Sequence, residues 1–143
     1  MEIIILKNNN KKESLGMGII TISILYLIAQ GYSLINSVYG ILNFNKINEF
    51  YIERGEKPLT YINVTMSIII AIGVIIGIIF LLRRNIIGIF IFIGSEIISI
   101  IYLIILTGFG SHLAMVLIMP LLLLFFIYKK KDIYGLKIEK IKR

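Results

Sequence analysis

The sequence predicts an all-α fold: a polytopic membrane protein built as an antiparallel bundle of four transmembrane helices, with a short outer amphipathic helix. Hydrophobic residues make up 58% of the 143 residues, and the mean hydropathy is +0.94. Soluble domains use roughly 45–50% apolar residues, and a chain of this length has too little interior to bury the excess. Four apolar stretches also approach the roughly 20 residues with which a helix crosses a hydrocarbon core about 30 Å thick.

The four predicted spans cover residues 15–39, 62–82, 86–106 and 109–128, which together form one transmembrane domain over residues 15–128. Apolar residues run continuously through each stretch, whereas the strands of a membrane barrel alternate polar and apolar residues. Residues 1–14 are predicted to be a cytoplasmic N-terminal segment and residues 129–143 a basic cytoplasmic tail. The very short links at residues 83–85 and 107–111 predict that spans two, three and four pack as consecutive antiparallel neighbours.

The loop over residues 43–61 carries the pattern of a short amphipathic helix on the outer membrane surface. Ile47, Phe50 and Tyr51 recur at helical spacing, and Gly55 and Pro58 follow as a stop signal. We interpret this helix as a cap on the bundle, with a docking surface as the alternative. Residues of the first span recur at the same steps of three or four as Ile47 and Tyr51. It therefore remains open whether the first helix runs into the loop without a break.

Lysine and arginine residues are divided unequally between the two predicted sides of the membrane. The N-terminal segment, the turn between spans two and three and the tail hold 12 of them, and the loops of the opposite side hold 3. Cytoplasmic segments carry the excess of positive charge, so both termini are predicted to be cytoplasmic. Isoleucine accounts for 37 residues, which favours an AT-rich bacterial source and hence the cell (plasma) membrane.

The basic tail is predicted to lie on the inner membrane surface. Its lysines, Lys129, Lys130 and Lys131, are expected to contact anionic lipid head groups, each contributing about 1 kcal/mol. Five apolar residues of the tail are expected to add contact with the same surface: Ile133, Tyr134, Leu136, Ile138 and Ile141. The net charge of +7 therefore indicates topology and lipid contact, and no nucleic-acid partner is expected.

Small and polar residues form a stripe along the first span, at steps of three or four residues. We call this stripe the seam; its members are Gly16, Ile19, Ser23, Tyr26, Gln30, Ser33, Ser37 and Gly40. Because such residues let membrane helices approach closely and hydrogen-bond, the seam is predicted to face the bundle. Gly73-x-x-x-Gly77 in span two has the same character, and packing within the chain is expected there, with dimerisation as the alternative.

Glu96 lies near the middle of span three, where a carboxylate costs about 2.5–3.5 kcal/mol on insertion scales. We expect it to be uncharged and hydrogen-bonded to Gln30 or Tyr26, which would fix the packing of spans one and three. Ser99 is its polar neighbour one turn along the helix. A proton- or ion-coupled site and a contact with a partner subunit remain the alternatives.

The sequence has few of the residue types on which enzymes rely for catalysis. It has no cysteine and a single histidine, His112, which excludes disulfides, thiolate metal sites and cysteine nucleophiles. No catalytic constellation, metal site or cofactor is expected, and an enzyme is the least favoured function class. Pro120 is expected to kink span four.

Residues 80–135 resemble a pattern found in small four-span bacterial membrane proteins of unknown function. The basic turn Leu82-Arg83-Arg84-Asn85 and the closing segment Phe126-Ile127-Tyr128-Lys129-Lys130 carry this resemblance, which implies a four-helix membrane domain and no activity. Small multidrug-resistance transporters also have four spans and one membrane-embedded glutamate. Their glutamate belongs to the first span, which here has Gln30, whereas Glu96 lies in the third.

Two functions follow as expectations. The first is a non-catalytic bundle that acts as a subunit, an immunity factor or a membrane-stabilising partner. The alternative is a small oligomeric proton- or ion-coupled transporter or channel that uses Glu96. The expected partners are the lipid bilayer, together with a second copy of the chain or another membrane protein.

Overall fold

The structure is a computed structural model that describes residues 14–135, and 84% of these residues are helical with no strand among them. The predicted all-helical class is confirmed. The five α-helices are α1 (Met17–Leu42), α2 (Phe44–Glu53), α3 (Tyr61–Leu82), α4 (Ile86–Thr107) and α5 (Ser111–Lys129), and a 3-10 turn follows at Lys131–Tyr134. Of these, α1, α3, α4 and α5 are long and apolar enough to cross a membrane, as expected of a multi-pass membrane protein.

Local sequence signals explain where the central helices begin. The Thr60 hydroxyl accepts a hydrogen bond from the Asn63 backbone N–H (3.2 Å) at the start of α3. The Asn85 side chain accepts one from the Ile87 N–H (3.0 Å) at the start of α4. Both are common N-cap residues, whose side chains satisfy backbone donors left open by the first turn. Arg84, with φ 61°, completes the tight α3–α4 turn.

The first helix does not continue unbroken into the loop. It reaches Leu42, three residues beyond the predicted end of span one, and is interrupted at Asn43 before α2 begins at Phe44. Asn43 has φ −116° and ψ 28°, outside helical geometry, and its side chain donates to the Tyr39 carbonyl oxygen (3.3 Å). The predicted amphipathic helix is therefore present as a separate element.

Helix α3 is the centre of the fold, with α1 and α4 packed against it. Two glycines allow the close approach of α3 and α4. An ideal Cβ on Gly77 would lie 2.8 Å from the Phe92 backbone nitrogen, and one on Gly88 would lie 2.7 Å from the Phe80 carbonyl carbon. Both distances are below real carbon contacts, so the backbones of the two helices meet where these glycines lack side chains.

Helix α5 departs from the predicted packing, because it lies chiefly against α1 and not along α4. The Phe126 ring occupies the space that a side chain at Gly18 would fill, and Leu123 and Ile127 join the buried core. Before Pro120, most of α5 is exposed. Beside the α4–α5 link, the Thr107 hydroxyl and His112 Nε2 lie 2.7 Å apart. The short link therefore holds the end of α4 next to the start of α5, although the two helices do not pack along their lengths.

We call the end of the fold with the α3–α4 turn and Lys129 the tail end, and the opposite end the α2 end. Because consecutive membrane helices alternate in direction, α1 and α4 both begin at the tail end.

Candidate functional site

Glu96 is buried on the face of α4 that carries Phe92, with 8% of its surface exposed. The Tyr26 hydroxyl faces its carboxyl group. The Tyr26 ring also packs edge-on against Phe92, one turn before Glu96, with ring centroids 5.2 Å apart and planes at 89°. One tyrosine of α1 therefore contacts an aromatic and a carboxylic side chain on the same face of α4.

The sequence left Gln30 and Tyr26 as alternatives for the partner of Glu96, and the structure brings Tyr26 to it. Both α1 and α4 begin at the tail end; Tyr26 comes nine residues after Met17, and Glu96 ten residues after Ile86. At about 1.5 Å per residue the two lie at nearly the same depth, whereas Gln30 lies about one turn farther along. Gln30 and Ser99 are half-buried, and Tyr26 is the side chain that acts on the Glu96 carboxyl group.

The buried residues of α1 lie along the seam and beside it. Ile19, Ser23, Tyr26 and Gly40 belong to the seam, and Ile22 adjoins it. Ser23 is fully buried, and its hydroxyl has no hydrogen-bond partner among residues 14–135. A buried hydroxyl without a partner destabilises the fold by about 1–3 kcal/mol, and we have no physical account of this one.

The Gly73-x-x-x-Gly77 pair faces α4 of the same chain. A Cβ on Gly73 would meet the Ser95 side chain, and one on Gly77 would meet the Phe92 backbone. Ser95 is adjacent to Glu96 in sequence, so these glycines set how closely α3 approaches the part of α4 that carries the carboxyl group.

A cavity of about 530 Å³ lies at the α2 end, between α1, α2 and the start of α3. We call it the α2-end cavity. Ser33 and Ser37 of the seam line it from α1, and Asn63 and Ser67 line it from α3. Ile47 and Tyr51 of α2 line it as well. The amphipathic helix thus turns Ile47 and Tyr51 toward a space into which α1 and α3 each contribute polar side chains.

Three contacts hold the walls of the α2-end cavity in place. The Asn48 side chain donates to the Leu59 carbonyl oxygen (3.2 Å) and accepts from the Leu59 N–H (2.8 Å). The Phe44 and Tyr61 rings stack with centroids 3.9 Å apart. From α4, the Tyr102 hydroxyl donates to the Asn63 carboxamide oxygen (2.6 Å). Helices α2, α3 and α4 and the link that holds Leu59 are therefore tied together beside this cavity.

At the tail end, Tyr134 packs on the bundle, contrary to the expectation that it lies on the membrane surface. It is 4% exposed, and its hydroxyl donates to the Leu81 carbonyl oxygen (3.2 Å). Burial raises the pKa of Tyr134 to about 12, opposed by the nearby Arg84 charge. Ile133 also packs against the core. The Leu81 carbonyl oxygen also accepts from the Arg84 backbone N–H (3.0 Å), so the tyrosine adds a further donor at the end of α3.

Each of the three tail lysines lies against a different neighbour at this end. The Lys129 ammonium group lies 4.7 Å from the Phe125 ring centre, and that of Lys131 lies 5.3 Å from the Tyr128 ring centre. Lys130 passes beside Gly16 at the start of α1. The remaining tail residues, including Leu136, fall outside the described part of the chain.

Sequence reasoning missed the Asn48, Tyr102 and Tyr134 contacts. Depth could have suggested one of them, because Asn63 is near the start of α3 and Tyr102 near the end of α4, at the same end of two antiparallel helices. Within residues 14–135, no group of three or more histidine or acidic side chains could hold a metal ion. No protein-family model, curated protein or solved structure matches the chain. Function must therefore be argued from the geometry.

Proposed function

We propose that the protein is a non-catalytic, multi-pass protein of a bacterial plasma membrane, with both termini in the cytoplasm. It acts as a subunit, an immunity factor or a membrane-stabilising partner. Its own partners are the bilayer, anionic lipid head groups at Lys129 to Lys131, and a second copy of the chain or another membrane protein.

The packing of Glu96 is the observation that carries this proposal. The one acidic residue within the four candidate spans is 8% exposed and faces Tyr26. Tyr26 is in turn buried against Phe92. A carboxyl group that exchanges protons or ions needs a route to water, whereas the residues lining the α2-end cavity do not include Glu96. A carboxyl group buried against a tyrosine of another helix suits a residue that fixes the relative rotation of the two helices.

Proton flux into liposomes tests this function against the alternative of a coupled transporter. We expect the purified full-length protein to carry no more proton flux under an imposed pH gradient than empty vesicles. Glu96→Gln is the matched variant, since it keeps a donor and an acceptor at similar volume. A flux that this variant abolishes while remaining folded by circular dichroism would replace the proposal with the transporter or channel.

The cytoplasmic assignment of the termini is supported by where the basic residues lie. The tail end brings Arg84 near Tyr134 and Lys130 beside Gly16, so the basic α3–α4 turn and the basic tail meet at the end where α1 begins. The positive-inside rule assigns that end to the cytoplasm. The α2 end, with its 3 basic residues among 15, then faces outward.

Reporter fusions test the orientation. A reporter that is active only outside the cytoplasm should be silent when fused after Arg143 and active when inserted at Gly55, in the exposed turn that ends α2. A cytoplasmic reporter at the same two positions should give the opposite pattern. Activity of the external reporter at Arg143 would invert the proposed topology.

A further inference from the structure

We propose that the α2-end cavity binds an uncharged polyhydroxyl group, such as the sugar or glycerol head group of a lipid. This inference is independent of the role of Glu96, because that residue does not line the cavity.

The first argument is the chemistry of the lining. Eight of the twelve lining residues carry a hydroxyl or a carboxamide, and none carries a charged group. An ionised ligand would lose hydration there without gaining a counter-charge, which is strongly unfavourable. Hydroxyl and amide groups can instead donate to and accept from the hydroxyls of an uncharged polyol.

The second argument is that these groups are largely unused by the protein. Within residues 14–135, Asn63 is the one lining residue whose side chain makes a hydrogen bond, through its oxygen to Tyr102. Its carboxamide nitrogen keeps its donors, and the hydroxyls of Ser33, Ser37 and Ser67 make no side-chain hydrogen bond to described residues. Polar groups of this kind gain from a ligand that supplies partners.

The third argument is preorganisation. The Asn48–Leu59 pair and the Phe44–Tyr61 stack fix α2 over the cavity, and the Tyr102–Asn63 bond fixes one wall. A site whose walls are already fixed loses less conformational entropy on binding. Its volume, about 530 Å³, falls within the range of about 300–1,000 Å³ that is usual for small-molecule sites.

An adjoining groove indicates a lipid as the source of the polyhydroxyl group. This groove on α1, about 340 Å³, is lined by Leu34, Ile35, Val38, Tyr39 and Leu42. Tyr39 also lines the α2-end cavity, so the apolar and polar spaces meet at one side chain. An acyl chain in the groove and a head group in the cavity would match both surfaces of one amphiphilic molecule.

Native mass spectrometry of the detergent-solubilised full chain tests the proposal. The probes are monoglucosyl dioleoylglycerol, dioleoylglycerol and free glucose, none of which carries a charge that the tail lysines would attract. We expect the glucolipid to be retained more strongly than the diacylglycerol without a head group. Retention of free glucose at similar strength would also support the site and would assign it to a soluble sugar. Equal retention of the glucolipid and the diacylglycerol would overturn the inference.

Cavity variants locate the binding. Asn36→Leu removes an exposed carboxamide from the lining, and Tyr51→Phe removes one hydroxyl while keeping its ring. Each should weaken glucolipid retention about threefold to tenfold, the equivalent of one hydrogen bond. Tyr128→Phe, an exposed tyrosine far along α5, is the matched control and should retain the lipid as the wild type does. Unchanged retention in both cavity variants would show that the lipid binds elsewhere.

Discussion

Replacing Gly88 with alanine is expected to destabilise the protein by about 1–3 kcal/mol, the usual effect of overpacking a tight contact. The added methyl group would lie 2.8 Å from the Gly77 carbonyl oxygen and would also overlap the backbone of Leu81. Backbone atoms cannot rotate away as a flexible side chain can, and the turn at 83–85 ties the two helices together beside this contact. The steric loss should exceed the gain in helix propensity, about 0.5–1 kcal/mol.

Gly94→Ala provides a matched control on the same helix. An ideal Cβ on Gly94 meets no atom within 4 Å, so alanine there should leave stability unchanged or raise it by the helix-propensity gain of about 0.5–1 kcal/mol. Unfolding of both variants in mixed micelles, followed by circular dichroism, measures the difference. Equal stabilities for the two variants would mean that α3 and α4 are farther apart than the structure places them.

The sequence predicted the helices better than it predicted their contacts. Span lengths follow from the apolar runs, because each run has to match the thickness of the bilayer. The predicted span at 86–106 differs from α4 by a single residue at its end. Hydropathy predicts the end of a helix less accurately where a polar link follows. Helix α1 accordingly extends three residues beyond its predicted end, as far as the break at Asn43.

Contacts between residues far apart in the chain leave no sequence pattern comparable to the apolar runs that predict the spans. Tyr134 and Leu81 are 53 residues apart, and no periodicity in the tail distinguishes a tyrosine that caps α3 from one that lies on lipid. The Phe126 ring of α5 packs at Gly18 of α1. The length of the α4–α5 link gives no information about such a side-chain fit, so it could not predict that α5 lies beside α1. A stripe of small residues indicates that one face of a helix packs against another helix, but it does not indicate which helix that is.

The depth of the polar residues along the membrane-spanning helices identified the partner of Glu96 better than their spacing along the sequence did. The heptad-like seam places Gln30 and Tyr26 on the same face, so spacing alone cannot choose between them as the partner of Glu96. Once the start of α1 is known, counting residues from the tail end selects Tyr26. Asn63 and Tyr102 both lie near the α2 end, where their hydrogen bond is 2.6 Å long, but a residue count alone would not pair them, because Asn63 is 19 residues from Leu82 and Tyr102 is 16 residues from Ile86.

Replacing Glu96 with leucine is expected to destabilise the fold by about 0.6–2 kcal/mol, which extends from the average found for hydrogen bonds between membrane helices to the upper value found in model peptides. The Tyr26 hydroxyl, buried beside Phe92, would then lack its acceptor. Glu96→Gln should preserve stability, because the amide still accepts from the tyrosine. Thermal or detergent-induced unfolding of the purified variants measures both effects.

A double-mutant cycle with Tyr26→Phe separates the pair from its surroundings. The phenylalanine keeps the edge-on ring contact with Phe92 and removes only the hydroxyl. If the two groups interact, the double variant Tyr26→Phe with Glu96→Leu should lose less stability than the sum of the single variants, since removing both partners leaves no buried polar group unpaired. Strictly additive losses would show that Tyr26 and Glu96 are not partners, and the structural role proposed for the carboxyl group would fail with them.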